Sequence, residues 1–230
     1  MSLLKRLDVA RGPSPQVKLV LASGSPRRRD ILAMLEVPFE VVVSGFAEDL
    51  PKHEYRASEY VAANARVKCE AVSRMLQPQA VETGCAILVI GADTVIAHLE
   101  AILEKPRDDQ DAKSMLKALS GTTHHVHTGV CIGIVVPQCP NPVYESDVAT
   151  TEVTFLNLSD EDIDAYVATG EPMDKAGSYA LQGKGSLLVD SIKGCYWNVV
   201  GLPLSLLGRT DGLLDRALEQ ATAGEQRAAG

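Results

Sequence analysis

The chain has 230 residues, 46% of them hydrophobic and 23% charged, enough for a substantial core in one α/β domain or one two-lobed domain. A formal net charge of −8 excludes a broad basic face of the kind that binds nucleic acid, and no apolar run approaches the roughly 18 residues of a membrane span. Five cysteines, odd in number and without paired metal-ligand spacing, read as reduced thiols; the leading apolar segment is too short for a secretory signal, so a cytoplasmic protein is expected.

Residues 17–22 have strand composition and end in a small-residue turn, Ser23-Gly24-Ser25, followed by Pro26 and three arginines, Arg27, Arg28 and Arg29. Ser25 is expected to cap the helix that starts there and Pro26 to take its first position, where a missing N–H costs nothing. Arginines in a first helical turn oppose the helix dipole, and an anion in the turn offsets that cost. The motif therefore reads as a phosphate grip, or else as an ordinary strand-turn-helix junction with solvated arginines. Residues 39–43 read as a strand carrying Glu40. Ser58 opens a helix to about residue 76, with 77–84 as a loop. Residues 86–96 form a strand carrying Asp93, and 108–119 have helical spacing through Ala112, Met115, Leu116 and Leu119, stopped by Gly121. Residues 126–136 and 143–158 read as two long strands joined by a proline-rich hairpin tip at 137–142. Ser159 begins a helix to about residue 168, which makes Asn157-Leu158-Ser159 a strand end running into a cap rather than a glycosylation site. A Gly-rich segment at 175–185, a short strand pair at 187–192 and a last helix from Pro203 toward 218 complete the elements. The expected organisation is a single two-lobed domain, 17–220, between poorly ordered ends at 1–16 and 221–230.

Asp93 sits inside an otherwise apolar strand, Gly91-Ala92-Asp93-Thr94, where an unpaired charge is costly, so cations, a metal or hydrogen-bond donors must lie beside it. Glu40 repeats the arrangement, although a strand glutamate also commonly faces solvent. Lys105 is fixed by the following Pro106, and Lys68 lies on the helix that Ser58 opens. Singly these are ordinary surface residues. Together with Arg27 and Arg28, the two carboxylates and several cations form the set required for metal-assisted attack on a phosphate. A further cluster runs over 174–183 and 194–203. Gln182, as a buried amide, can donate and accept side by side, which suits the Watson–Crick edge of a base. Tyr179, Tyr196 and Trp197 either stack on a base or belong to the core, and in a chain with 4% aromatic residues the core is the commoner use. No glycine-rich loop ending in Gly-Lys-Ser/Thr appears, which excludes a P-loop kinase.

Six separated segments now stand in a telling order: Ser23-Gly24-Ser25-Pro26-Arg27-Arg28, Gly91-Ala92-Asp93-Thr94, Leu103-Glu104-Lys105-Pro106, Leu119-Ser120-Gly121, residues 175–183 and Val200-Gly201-Leu202-Pro203. In that combination the chain closely resembles the Maf family of nucleoside triphosphate pyrophosphatases over residues 21–206. Residues 176–182 with 199–201 look like the dTTP/UTP-hydrolysing branch rather than the branch acting on 7-methyl-GTP. The resemblance implies a two-lobed α/β fold with an elongated mixed β-sheet flanked by helices, usually a homodimer, and hydrolysis between the α and β phosphates. It matches Asp93 to the family's active-site carboxylate and proton acceptor. Arg27, Thr94 and Gln182 match positions associated with substrate choice, while Ser23, Arg28, Lys68 and Lys105 match polar cleft positions. Because an aspartate with a reference pKa near 3.9 is a weak base toward water, whose pKa is about 15.7, a divalent cation, Mg²⁺ or Mn²⁺, is expected on Asp93 with Glu40. Lys105, Lys68 and Arg27 would then spread the developing charge. The readings that stay open are a house-cleaning pyrophosphatase for 7-methyl-GTP or other non-standard nucleotides, including the inosine-triphosphate type, and a non-catalytic nucleotide-sensing division regulator. Arg29, the tip at 137–142 and the segment before residue 17 are not family signatures.

Overall fold

In order along the chain come β1 (Val17–Leu21), α1 (Pro26–Ala33), β2 (Glu40–Val41), α2 (Ala57–Thr83), β3 (Ala86–His98), β4 (Ala101–Leu103), α3 (Asp109–Leu119), β5 (Thr123–Val135), β6 (Val143–Phe155), α4 (Asp160–Val167), β7 (Val189–Lys193), α5 (Tyr196–Val200) and α6 (Leu204–Gly208). The computed structural model describes residues 17–45, 50–99, 101–137, 139 and 141–208; the expectations for 1–16, for 221–230 and for the last helix beyond 208 lie outside them. The seven strands make one mixed sheet in the order β2-β1-β3-β5-β6-β7, with β4 also on β3. The expected mixed α/β architecture is therefore present: β2, β1 and β3 run parallel, and β3, β5, β6 and β7 antiparallel.

One feature of this topology makes the cleft. β5 pairs with β3 continuously from residue 87 to residue 97 on one edge. On the other edge, β1 covers β3 up to Ile90 and β4 covers it from Ile96. Among the described residues no strand covers 91–95, so the sheet is notched there, at Asp93. Alternation along β3 sends Val89, Gly91 and Asp93 to the face covered by α2, and Ile90, Ala92 and Thr94 to the opposite face.

Helix α2 lies close on the sheet because glycine faces it. A Cβ on Gly91 would stand 2.5 Å from the Ala65 carbonyl oxygen, and one on Gly129 would stand 2.3 Å from that of Val61. This approach brings the turn that carries Lys68 down beside Asp93. The helix also runs seven residues past the expected end, through Pro78, to a left-handed Gly84. Tertiary packing overrides the proline: Ala80 is fully buried against the sheet, and Gln77 Nε2 donates to the Cys139 carbonyl at 3.1 Å. Two other expectations change. The strand at 39–43 is reduced to Glu40–Val41, and 187–192 supplies not a strand pair but the single strand β7, which pairs with β6. The cap at Ser159 forms as expected, its Oγ accepting the Asp162 N–H at 3.1 Å.

The contact of α2 with the sheet is testable. Gly129→Ala should lower the unfolding free energy by about 1–3 kcal/mol, because the added methyl meets helix backbone that cannot move aside. Gly24→Ala, whose Cβ would meet Val43 Cγ2 at an ordinary 3.6 Å, should change it by less than about 0.5 kcal/mol in the same urea titration.

Candidate active site

The notch opens into a cleft of about 640 Å³. All the candidate site residues except Glu40 line it: Ser23, Arg27, Arg28, Lys68, Asp93, Thr94, Lys105 and Gln182. Glu40 is exposed on β2, opposite Val20 in the parallel pair, and that part of the chain reaches the cleft through Val43, Ser44 and Gly45 instead.

Asp93 and Lys68 form an ion pair, Nζ to Oδ1 at 2.8 Å, with each side chain only 9% exposed. The expectation of a cation beside the strand carboxylate is met by α2. A second carboxylate, Glu104, enters at the end of β4; the sequence reading included it in a motif but assigned it no part. Glu104 accepts the Tyr60 hydroxyl at 2.9 Å and pairs with Lys52. Burial, outweighing a hydrogen bond from Asn64 and joined by Glu104, pushes the Tyr60 phenol up to about 12, so it remains a donor at neutral pH.

The arginines differ sharply in use. Arg28 donates to the Gly201 carbonyl at 2.9 Å, the Ala92 carbonyl at 2.9 Å, Ser23 Oγ at 3.1 Å and Thr94 Oγ1 at 3.0 Å. The Ala92 carbonyl is available because the strand edge there is uncovered. From Thr94 the chain of hydroxyls continues to Thr128 at 3.0 Å and on to the Asn198 carbonyl at 3.1 Å. Asn198 Nδ2 in turn donates to the Val126 carbonyl and Thr151 Oγ1, both at 2.9 Å. Arg28 and Thr94 thus brace the turn after β1, the notch and α5 against one another. Arg27 instead crosses the cleft, donating to Asp174 Oδ2 at 3.0 Å and the Asp174 carbonyl at 3.1 Å. Lys175 also binds Asp174; burial pushes that carboxyl up, but the hydrogen bond and charge of Lys175 and the charge of Arg27 outweigh it and hold it below its ordinary value.

Ser25 stands at the N-cap of α1 as expected, but its side chain makes no cap; its backbone N–H donates to Ser23 Oγ at 3.3 Å. Ser23 Oγ therefore accepts from both Ser25 and Arg28, which leaves its own proton to donate. Lys105 is exposed in the cleft and has no ion-pair partner among the described residues. Gln182, expected as a buried amide, is exposed on the cleft wall, since it sits on a loop beyond the sheet. Of the three aromatics, Tyr179 is buried and packs edge-on against Phe155 and His124 while lining the cleft. Tyr196 and Trp197 pack on each other outside it. Burial drives Tyr179 well above its ordinary pKa and His124 down to about 4, the latter with help from His98 and His125; the two share a 2.9 Å hydrogen bond as neutral groups.

Among the described lining residues five cationic side chains face three carboxylates, on a chain whose net charge is −8. The cleft is suited to a small polyanion. Cations and hydroxyls line it together with the exposed amide of Gln182 and the paired carboxylate of Asp93.

Comparison with known proteins agrees with this chemistry. The family described as Maf-like protein matches residues 18–210. A dTTP/UTP pyrophosphatase of Bacillus thuringiensis subsp. konkukian (strain 97-27) is 45% identical over 192 residues, covering 84% of this chain and 93% of the relative. A dTTP/UTP pyrophosphatase of Bacillus cereus (strain ATCC 10987 / NRS 248) is 45% identical over 203 residues, covering 88% and 93%.

The division between bracing and open cations can be read from stability alone. Arg28→Lys serves at most part of the four-acceptor set and should destabilise by about 2–4 kcal/mol, whereas Lys105→Ala should change the unfolding free energy by less than about 0.5 kcal/mol. Equal effects in urea titrations would reject the distinction. His124 adds a pH dependence. Its folded pKa of about 4 lies below the unfolded value near 6.5, so the unfolded chain binds the extra proton first. Its contribution is complete above pH 6.5 and is lost as pH falls toward 4, by about 3 kcal/mol. His124→Gln should flatten that part of the stability profile measured between pH 7 and pH 4.

Proposed function

This chain belongs to the Maf family, and from that premise we propose that it hydrolyses dTTP and UTP between the α and β phosphates, giving the monophosphate and pyrophosphate. The observation that carries the reading is the convergence of the paired Asp93, the open Lys105 and the open Gln182 on one cationic cleft.

The reaction bonds a water oxygen to the α-phosphorus and breaks that phosphorus's bond to the oxygen bridging toward the β-phosphate. The water loses a proton, and pyrophosphate leaves carrying the electron pair. Asp93 is the proton acceptor, and Lys68 fixes its orientation from α2. Lys105 and Arg27 neutralise charge as it moves onto the leaving phosphates, and Ser23 donates its remaining proton to a phosphate oxygen. Loss of one such donor typically costs about 10²–10³ in rate. Arg28 and Thr94 act by holding Ser23 and the notch in register.

A divalent cation belongs to the same reading, and the donor set fits one. A hard cation at a phosphate site needs one or two carboxylates together with phosphate oxygens and water, and Asp93 and Glu104 both face the cleft. No cluster of three acidic, histidine or cysteine residues occurs among the described residues, which agrees with so sparse a protein contribution. What Mg²⁺ or Mn²⁺ supplies when bound there is neutralisation of the phosphates and a more acidic water. Glu40 is not in position to share in holding it.

Gln182 selects the base. Its amide presents a donor and an acceptor side by side, complementary to O4 and N3–H of thymine or uracil, and it makes no hydrogen bond to another described residue that would compete. A single catalytic domain at 17–220, a homodimer and a cytoplasmic location complete the proposal; no helix among the described residues is long and apolar enough to cross a membrane.

With Mg²⁺ present, the protein should release pyrophosphate from dTTP and UTP well ahead of GTP, ATP and 7-methyl-GTP, and a chelator should abolish release. Asp93→Asn keeps an acceptor for Lys68, so the fold should persist by circular dichroism while kcat falls by about 10²–10⁴. Turnover within a few-fold of wild type, or equal turnover of all the nucleotides, overturns the reading.

A further inference from the structure

Residues 180–182 line the cleft, yet among the described residues Gln182 makes no hydrogen bond that would hold its loop. The loop is held from behind by Glu171, which opens the turn Glu171–Asp174 and does not line the cleft. Glu171 Oε1 accepts the Tyr166 hydroxyl at 2.9 Å and the Gly185 N–H at 2.9 Å, while Oε2 accepts the Lys184 N–H at 3.1 Å. Tyr166, buried on α4, accepts the Ala180 N–H at 3.2 Å on the same hydroxyl. One carboxylate and one phenol therefore fasten the chain on both sides of 181–183.

The glycines of the loop are shaped to this arrangement. Gly183 has φ +97°, and a Cβ there would stand 2.8 Å from Glu171 Oε2. A Cβ on Gly185 would stand 2.4 Å from the Ala180 carbonyl oxygen and 2.6 Å from the Tyr166 hydroxyl. Burial pushes the Glu171 carboxyl up, but the N–H groups of Gly185 and Lys184, the Tyr166 hydroxyl and the charge of Lys175 outweigh it, so its pKa lies below the ordinary value and the anion is the form that accepts. The same turn reaches the opposite wall: its last residue, Asp174, holds Arg27.

We propose that Glu171, acting with Tyr166, is a specificity-determining positioning residue that sets how Gln182 meets the base without itself touching the substrate. The proposal rests on the base-selecting role given to Gln182 above. A charge-assisted acceptor of two backbone N–H groups cannot be replaced by a neutral amide without leaving at least one of them poorly held. The loop should then present Gln182 in several orientations and lose discrimination before it loses chemistry.

The measurement is the ratio of kcat/KM for dTTP to that for GTP, on variants that keep the wild-type circular dichroism. Glu171→Gln should lower this ratio by about tenfold to a hundredfold, chiefly through a higher KM for dTTP. Tyr166→Phe should lower it less, and Glu171→Asp, which restores the charge, should recover part of the loss. The double variant Glu171→Gln with Gln182→Ala should be no less selective than Gln182→Ala alone, because both act through one contact. If Glu171→Gln slows dTTP and GTP in proportion, its role is structural and the inference fails. If Gln182→Ala lowers the ratio and Glu171→Gln does not, the inference fails while base selection by Gln182 stands. If Glu171→Gln lowers the ratio and Gln182→Ala does not, the loop reads the base through another residue, and the Gln182 reading fails and takes with it the inference that Glu171 aims Gln182. Should Glu171→Gln not fold, Tyr166→Phe carries the same comparison.

Discussion

A carboxylate buried within a sheet is tolerated only where its charge is matched, and here Lys68 matches Asp93 across 2.8 Å with both side chains almost wholly buried. That pair depends on two absences of side chain, at Gly91 and Gly129, which let α2 settle low enough on β3 and β5 for Lys68 to reach. It also depends on an absence of strand, since β1 stops pairing at Ile90 and β4 begins at Ile96. A buried ion pair is poor value for stability alone, because desolvation offsets much of the Coulombic gain, whereas removing one partner costs about 3–5 kcal/mol. Its place at a notch that opens to the cleft agrees with a chemical use.

Around the pair, the same charge serves two ends. Arg28 is committed to two carbonyls and two hydroxyls, and through Thr94, Thr128 and Asn198 it ties the turn after β1 to α5 on the face opposite α2. Lys105, held beside Pro106, is left facing the cleft. Rigid bracing by one cation allows another to stay open without the wall yielding toward it, which is the condition for preorganised stabilisation of moving charge.

The sequence made the chemistry legible where side-chain type alone constrains the environment. Asp93 in an apolar strand demanded a cation, and Pro26, Gly121 and Ser159 marked element ends that the backbone realises. It was silent where long-range packing decides. Nothing local in 77–84 shows that Ala80 will be buried, and so Pro78 read as part of a loop when it lies inside a helix. Glu40 and Glu104 are both glutamates at strand ends, and only the pairing of β2 with β1 and of β4 with β3 decides which one faces the cleft. Arg27 and Arg28 are adjacent and chemically identical, yet the helical step between them sends one across the cleft and the other into the frame. Gln182 is expected as a buried amide but lies exposed in the cleft, because residues 181–183 form a bend outside helix and strand whose side chains are set by long-range packing rather than by a local pattern.

On the proposed reading, chemistry and choice of substrate rest on different parts of the fold. Asp93 and Lys68 are set by β3 and α2, which pack on each other in the core of the fold, and their proposed part in the chemistry is common to every nucleotide. The loop that carries Gln182 is held by Glu171 of the short turn Glu171–Asp174, whose other end, Asp174, holds one of the cleft's cations, Arg27. Phosphate charge is common to all nucleoside triphosphates, so the cations of the cleft can supply affinity but not discrimination. Discrimination needs a polar contact whose loss leaves a buried or oriented partner unmatched, and its strength is bounded by how firmly that contact is aimed. An exposed amide on a loop is aimed only as well as the loop is held. In this chain the holding is done by Glu171 together with Tyr166 behind the wall, and on the proposed reading that makes selectivity adjustable at a distance from the reacting atoms and leaves the floor of the cleft undisturbed.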